Sequence, residues 1–322
     1  MKTLLIGKND SGQRLDKFLQ KSLPALPPAL MYKYIRLKRI KLNGKRAEIS
    51  TRLRESDMLE LYIGDEFFIK PDTRYDFMSA SGKLDIVYED ENILLLNKKA
   101  GLLSHPDDTE YRDTLITRVK RYLFEKGEFD PGGEQSFAPS LVNRIDRNTC
   151  GIVVAAKNAE SLRILNEKMK SRELRKLYLC VIHGTPEKPA ATLTGWLFKD
   201  ENKNKVFVYP AARDGSKEIR TRYRVLDSFG GLSLLEVELL TGRTHQIRAH
   251  LACIGHPLLG DGKYGKNALN KALGYKKQFL CSYKLAFDFT SGAGALAYLN
   301  GKEFEISEVW FAEEFANRKL FK

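Results

Sequence analysis

Cysteine is scarce in this 322-residue chain, and Cys150, Cys180, Cys253 and Cys281 stand far apart with no Cys-x-x-Cys. Such spacing excludes a disulfide framework and a zinc-ribbon pattern, and it fits reduced thiols in a cytosolic setting. The five histidines supply no metal spacing either; His245 and His250 are five apart, which does not align them on a helix face. No bound metal is expected. No apolar run approaches the roughly 20 residues of a membrane span. The opening Met-Lys-Thr-Leu-Leu-Ile-Gly-Lys is too short in apolar residues for a signal peptide. A cytoplasmic protein without a membrane partner is the expectation. Internal repeats and low-complexity tracts are also missing.

Acidic residues are outnumbered. Lys plus Arg total 54 against 41 Asp plus Glu, a net charge of +13, and the sequence pI is near 9.4. That balance favours a polyanionic partner such as nucleic acid or an acidic membrane. Hydrophobic content of 43% and charged content of 30% are those of a folded protein. The length exceeds a usual single domain, so two domains are expected.

The positive charge is concentrated early. Lys33, Arg36, Lys38, Arg39, Lys41, Lys45 and Arg46 follow one another without an intervening acid. Around them the pattern is that of a small folded module. Leu15, Phe18 and Leu19 are spaced as one face of a short helix. Pro28 suits the first turn of a second helix, which carries Leu30, Tyr34 and Ile35. Ile40 to Leu42 reads as a strand entering an Asn43-Gly44 hairpin turn, and Leu59 to Ile63 would close a small sheet.

Residues 64 to 82, with Pro71, Asp72, Thr73, Ser79, Ser81 and Gly82, read as a linker whose aromatics can lie against a surface. Beyond it, Leu84 to Tyr88 and Ile93 to Lys98 read as a hairpin. Asp113 is placed to cap a helix with Leu115, Ile116, Val119, Tyr122 and Leu123 on one face. Leu162, Leu165 and Met169 mark another helix, Lys176 to Ile182 a strand, and Ile219 to Leu226 with Leu232 to Leu240 a further hairpin. Antiparallel strands with interspersed helices indicate an α+β fold.

Two polar, glycine-punctuated clusters interrupt this pattern. One is Asn143-Arg144-Ile145-Asp146-Arg147-Asn148-Thr149-Cys150-Gly151; the other is Thr241-Gly242-Arg243-Thr244-His245-Gln246-Ile247-Arg248-Ala249-His250. Asp146 lies between apolar Leu141-Val142 and the strand-like run from Ile152 to Ala156. A guanidinium partner would hold such a carboxylate as an anion even in a partly desolvated cleft, where it can act as nucleophile or base. The competing reading of Arg-x-Asp-Arg alone is a structural ion-pair knot. The second cluster favours a site, because it puts polar groups where a core helix would carry an apolar stripe. His245 and His250 read as hydrogen-bonded scaffold rather than general bases.

Residues 12 to 63 resemble the RNA-binding module known from the fourth protein of the ribosomal small subunit, the alpha-L motif. Residues 84 to 310 resemble the RluA-type pseudouridine synthases. The matching stretches run in family order: Leu95 to Leu102 with His105-Pro106, Asn143 to Gly151, Lys176-Leu177-Tyr178 with Gly184, and Thr241 to His250 continuing through Gly255 to Asp261 and Tyr264-Gly265. The implied architecture is a module at 1–75, a linker at 76–83 and a catalytic domain at 84–322.

The implied reaction is isomerisation of uridine in RNA without a cofactor: the ribose–nitrogen bond is broken, the uracil turns, and carbon 5 joins the sugar. The resemblance implies Asp146 as the catalytic carboxylate, Arg248 as its ion-pair partner and Tyr178 as the aromatic against the base. Arg144 would enter the gap left by the extruded nucleotide. Arg147, Arg243, His245, Gln246 and Lys98 are expected RNA contacts around the site; Lys33, Arg36, Lys38, Arg39, Lys45 and Arg46 are those of the module. Asn143, Ile145, Cys150 and Lys99 depart from the family pattern, and Cys150 is expected to be a small packing residue. Ribosomal RNA, of the large subunit, is the expected substrate of a monomeric enzyme. The alternatives are transfer RNA as substrate, a non-catalytic ribosome-assembly factor, or an N-glycosidase.

Overall fold

Leu15, Phe18 and Leu19 do share a helix face, and all three are wholly buried. The computed structural model describes residues 1–69, 72–265, 267–272, 274–275 and 277–320. Strand β1 (Lys2–Leu5) is followed by α1 (Leu15–Ser22) and α2 (Pro28–Arg36), with Pro28 in the first turn. Its missing N–H costs nothing there. Strand β2 (Ile40–Leu42) turns through Asn43 and Gly44, whose φ angles of 51° and 73° suit a tight hairpin, into β3 (Lys45–Arg46). Strand β4 (Met58–Leu61) lies between β1 and β2 in a sheet of order β1-β4-β2-β3. Leu15, Phe18, Leu19, Met31, Ile35, Ile40, Leu59 and Leu61 form a core belonging to this module alone.

The module is fastened to the rest of the chain by polar contacts. Asn9 donates to Glu134 at 2.7 Å and accepts from the Ala159 backbone at 3.1 Å, Gln13 donates to Ser136 at 2.7 Å, and Arg163 reaches the Ser11 carbonyl. The stretch read as a linker is partly ordered into short 3-10 turns at Asp65–Phe68 and Asp72–Ser79. Pro71 and the side chains of Asp72 and Thr73 lie outside the described residues. Phe77 is buried and packs edge-on to Phe124 with ring centres 5.7 Å apart, so this segment is a strap on the larger core.

The larger core is built on β5 (Ile86–Glu89), β6 (Ile93–Lys98), α3 (Leu115–Glu125), β7 (Ser140–Leu141), β8 (Cys150–Ala156), α4 (Ala159–Lys170), β9 (Leu174–His183), β10 (Ala190–Asp200), β11 (Lys205–Tyr209), β12 (Lys217–Phe229) and β13 (Leu232–Leu239). It continues through α5 (Gln246–Cys253), α6 (Asn267–Ala272), β14 (Leu280–Phe287), β15 (Glu303–Glu305) and α7 (Trp310–Ala316). The main sheet runs β11-β10-β12-β13-β9-β14-β8-β6-β5, with β7 beside β8 and β15 beside β14. The fold is α+β. Among the described residues, β14 and β8 pair in parallel and the other strand pairs are antiparallel.

Period-two alternation along β9 divides the two faces. Tyr178, Cys180 and Ile182 join Tyr223, Leu235 and Val237 beneath α3 and α5, while Leu179 and Val181 join Leu232 and Leu234 against Phe311 and Phe315 of α7. One capping expectation is corrected. Thr114, not Asp113, caps α3, exchanging bonds with Thr117. Asp113 instead grips Arg118 through both oxygens at 2.7 and 2.6 Å, a stronger partner than a backbone N–H.

Candidate active site

The loop between β7 and β8 is held from below so that Asp146 stands up from it. Ile145 sinks into the apolar core on the α3 and α5 side of the sheet, and its carbonyl accepts from Ser104 at 3.0 Å. Thr149 is buried, its hydroxyl accepting from Gln278 at 3.0 Å, and its N–H closes a turn onto the Asp146 carbonyl at 3.1 Å. Gly151 ends the loop with φ 115°, and a Cβ there would sit 2.2 Å from the Ser282 carbonyl oxygen. No other residue fits that approach of β8 to β14. Asn143 accepts from the Val154 N–H at 2.8 Å and so ties the loop to β8.

The carboxylate does not pair with the arginines that bracket it. Arg144 and Arg147 are exposed, and Arg147 donates to the Gly101 carbonyl at 3.1 Å. The partner comes from α5. Arg248 Nη1 donates to Asp146 Oδ2 at 2.8 Å, while Arg248 Nε and Nη2 donate to the two oxygens of Asp261 at 2.7 and 3.0 Å. Asp261 is completely buried, and the Asp146 side chain is 24% exposed, so the chain of charges runs from the interior to an open mouth. Burial alone would weaken the guanidinium's charge, but Asp261 and then Asp146 outweigh it and raise the Arg248 pKa. Arg248 therefore remains a cation.

Asp261 also organises the turn that follows it. Its Oδ1 accepts from the backbone N–H groups of Lys263 and Tyr264 at 2.8 and 3.0 Å. The Tyr264 hydroxyl lies 2.9 Å from His245 Nδ1, and His245 Nε2 lies 3.8 Å from Asp146 Oδ2. Asp146, Arg248, Asp261, Tyr264 and His245 thus form a closed ring. His245 precedes α5 in a left-handed conformation, φ 53°, and its side chain caps nothing. Burial is the main cause that holds it down to about 4; Asp146 pulls it up and Arg248 and Lys263 push it down, so it is neutral near pH 7 and its approach to Asp146 is no salt bridge.

Tyr178, on β9, lines the same side of the sheet and is buried to 5% exposure. Burial pushes its phenol up to about 12, with a hydrogen bond to Ser282 opposing the rise and the charge of Asp146 adding to it. Cys150 is half-buried with its Sγ 3.5 Å from the Leu280 carbonyl oxygen.

Two expected RNA contacts are corrected. Lys98 is 1% exposed, and its Nζ donates to the carbonyls of Lys99, Leu102 and Arg147 at 3.1, 2.7 and 3.0 Å. Its three donors are consumed in joining β6 to the Asp146 loop. Gln246 is equally buried: its amide donates to the Arg220 carbonyl and Thr221, and its oxygen accepts from Thr241 and the Arg243 N–H. It fixes the entry into α5. Arg243 is exposed beside it. In the N-terminal module Lys33, Arg36, Lys38, Arg39, Lys45 and Arg46 are all exposed, and among the described residues none is in an ion pair. Asp261 and Tyr264 received no role from the sequence, although glycines at 260, 262 and 265 frame them.

Residues 92–253 match the family model described as RNA pseudouridylate synthase, and residues 13–59 match that of the S4 domain. The chain is 33% identical over 88% of its length, and 88% of the relative's, to an RNA pseudouridine synthase of Mycoplasma genitalium. It is 34% identical, over 63% of this chain and 60% of the relative, to the ribosomal large subunit pseudouridine synthase D of Borreliella burgdorferi. The human RNA pseudouridylate synthase domain containing 4 shares the fold with a TM-score of 0.56 at 20% identity, covering 73% of this chain and 92% of that one.

Proposed function

The chain belongs to the RNA pseudouridylate synthase family, and we propose that it isomerises uridine in large-subunit ribosomal RNA with Asp146 as the catalytic carboxylate. The observation that carries this reading is the ion pair of Asp146 with Arg248, buried on the arginine side and open on the aspartate side. An anion kept in place by a fixed cation needs no rearrangement to meet a ribose presented at the mouth.

The reaction moves one bond. Asp146 acts at the sugar, either attacking the anomeric carbon or taking a proton from its neighbour, and the bond to the uracil nitrogen breaks. The freed base turns within the pocket. Carbon 5 then bonds to the anomeric carbon as the carboxylate leaves it or, on the second route, as the carboxylate returns its proton to the neighbouring carbon, and the proton on carbon 5 departs to solvent. With its pKa near 12, Tyr178 is a protonated phenol at neutral pH. Its ring, on the α3 and α5 side of the sheet, forms a wall against which the turning base rests. Base stacking on an aromatic contributes about 1–3 kcal/mol and is indifferent to base orientation.

Exposed Arg144 and Arg147 flank the carboxylate, and among the described residues neither is within ion-pair distance of an acid, although the charge of Arg147 is felt at Asp107. Arg144 serves the gap left by the extruded nucleotide; Arg147 and Arg243 serve the backbone phosphates. The S4 module adds the basic surface of α2 and the β2–β3 hairpin. The relative named for the ribosomal large subunit supports that RNA as substrate. Carbodiimide primer-extension mapping of ribosomal RNA from cells lacking the protein tests the assignment. At least one large-subunit pseudouridine is expected to vanish and to return with the purified protein; an unchanged map of that RNA would refute it.

A further inference from the structure

The His245 side chain makes no structural bond to α5. It occupies the position before the first helical residue, in a left-handed conformation that costs a residue with a Cβ, yet it caps nothing. The turn is maintained by its neighbours: Gln246 binds Thr241, the Arg243 N–H, the Arg220 carbonyl and Thr221, and the His245 carbonyl accepts from Ala249 at 2.9 Å. What the conformation achieves is to bring the imidazole over Asp146.

The hydrogen bonds also accommodate one particular tautomer of the ring. The Val206 N–H donates to the Tyr264 hydroxyl oxygen at 2.9 Å, which uses one of its lone pairs. Among the described residues, His245 Nδ1, at 2.9 Å, is the other partner of that oxygen. Val206 N–H is a donor only, and a phenolic proton given to Nδ1 leaves the hydroxyl with one bond accepted and one donated. A neutral imidazole that accepts at Nδ1 bears its hydrogen on Nε2. That N–H faces Asp146 Oδ2 across 3.8 Å, too far for a direct hydrogen bond and wide enough for both groups to meet one substrate.

Resting on the reading of Asp146 as the carboxylate that acts at the ribose, we propose that His245 is a further catalytic group whose Nε2–H donates a hydrogen bond to the 2′-hydroxyl oxygen of the target uridine. Asp146 acts on the anomeric carbon or on the carbon next to it. The 2′-hydroxyl is the substrate oxygen attached to that second carbon and one bond removed from the first. A fixed N–H beside the acting carboxylate oxygen therefore meets that hydroxyl and holds the sugar in register with it. Deoxyribose would lack the acceptor, so the contact also selects RNA.

The test uses the full chain and a synthetic oligoribonucleotide spanning the uridine whose conversion is lost without the protein, made with ribose or 2′-deoxyribose at that one nucleotide. Turnover is removed by Asp146→Asn so that affinity is measurable for both. This protein is expected to prefer the ribose form by about ten-fold, the effect of one hydrogen bond. Adding His245→Asn, which tolerates the left-handed backbone but lacks the far nitrogen, erases the preference. Adding Tyr264→Phe in place of that change reduces it by releasing the tautomer. In the active protein, His245→Asn slows single turnover on the ribose form about ten-fold. A preference that persists in the His245→Asn background, or that is missing from the Asp146→Asn protein, overturns the role. If the unmodified protein makes no pseudouridine, the underlying reading of the site fails instead.

Discussion

Asp261 places both carboxylate oxygens on Arg248, at 2.7 and 3.0 Å, and leaves Nη1 of the same guanidinium for Asp146. One buried anion thereby orients the cation that the exposed anion uses. Removing a member of such a buried pair strands the other without compensation. Asp261→Asn is expected to lower unfolding stability by about 3 kcal/mol and to reduce turnover more than RNA affinity. Denaturant unfolding and single-turnover kinetics check both effects; unchanged stability would show that Arg248 does not depend on Asp261.

Lys98 offers a sharper contrast between structure and RNA binding. Its ammonium holds three backbone carbonyls, one of them in the Asp146 loop. In Lys98→Met these acceptors lose their donor inside the protein, a loss of about 1–3 kcal/mol. The melting temperature should fall and turnover with it, while the slope of RNA affinity against salt stays as it was. A flatter slope would mean that Lys98 neutralises a phosphate after all.

The opposite behaviour is expected of the N-terminal surface. Lys33, Arg36 and Arg39 are exposed on and just after α2, and replacing them together by glutamine removes charge without opening the module's core. Each lost phosphate contact lowers the slope of log affinity against log salt by about 0.7–0.9. Affinity should drop at low salt and the slope should flatten by about 2, with melting unchanged. Equal slopes would place RNA elsewhere.

Buried histidines, His245 and His250 among them, contribute to the loss of stability on the acid side of neutrality. Burial holds His245 and His250 down to about 4 from the ordinary 6.5; a hydrogen bond to Thr194 opposes the shift at His250, and Thr221 lies 3.0 Å from its Nδ1. Between those two values the unfolded chain binds more protons than the folded one, so stability rises with pH across that window and is lost as pH falls through it. Glu89 and Glu173 are paired with lysines and held to about 2, so their contribution is lost at lower pH, below 4.5. Urea unfolding of His250→Gln at pH 7 and pH 5 should show a smaller acid-induced loss than the parent; an equal loss would remove His250 from the account.

Much of this architecture was legible in residue spacing. The helix faces of Leu15, Phe18 and Leu19 and of Leu115, Ile116, Val119 and Leu123, and the Asn43-Gly44 turn, all report local periodicity or local backbone preference. Strand β1 was hidden because its few residues alternate weakly, and its place depends on pairing with β4, more than fifty positions away. The site divides similarly. Two polar clusters were visible as clusters, and Arg248 entered as the partner of Asp146 through the family resemblance and not through spacing, because a carboxylate's partner is chosen by loop direction. Lys98 looked like a phosphate contact for the same reason: a lysine's burial is set by what folds over it, here the loop at Arg147. Asp261 and Tyr264 carried only the signal of their surrounding glycines; at Gly260 a Cβ would lie 1.8 Å from the Lys277 carbonyl oxygen, a closeness no local pattern announces.

The central claim is that the Asp146 carboxylate, steadied by Arg248, performs the rearrangement at the ribose. The direct measurement is pseudouridine content, by nucleoside chromatography, of large-subunit RNA from cells lacking the protein after incubation with purified parent or Asp146→Asn protein. The account predicts conversion by the parent, none above background by the variant, and RNA affinity of the variant within about three-fold of the parent, since the carboxylate contributes chemistry and not charge attraction to RNA. Conversion by Asp146→Asn at the parental rate would contradict it.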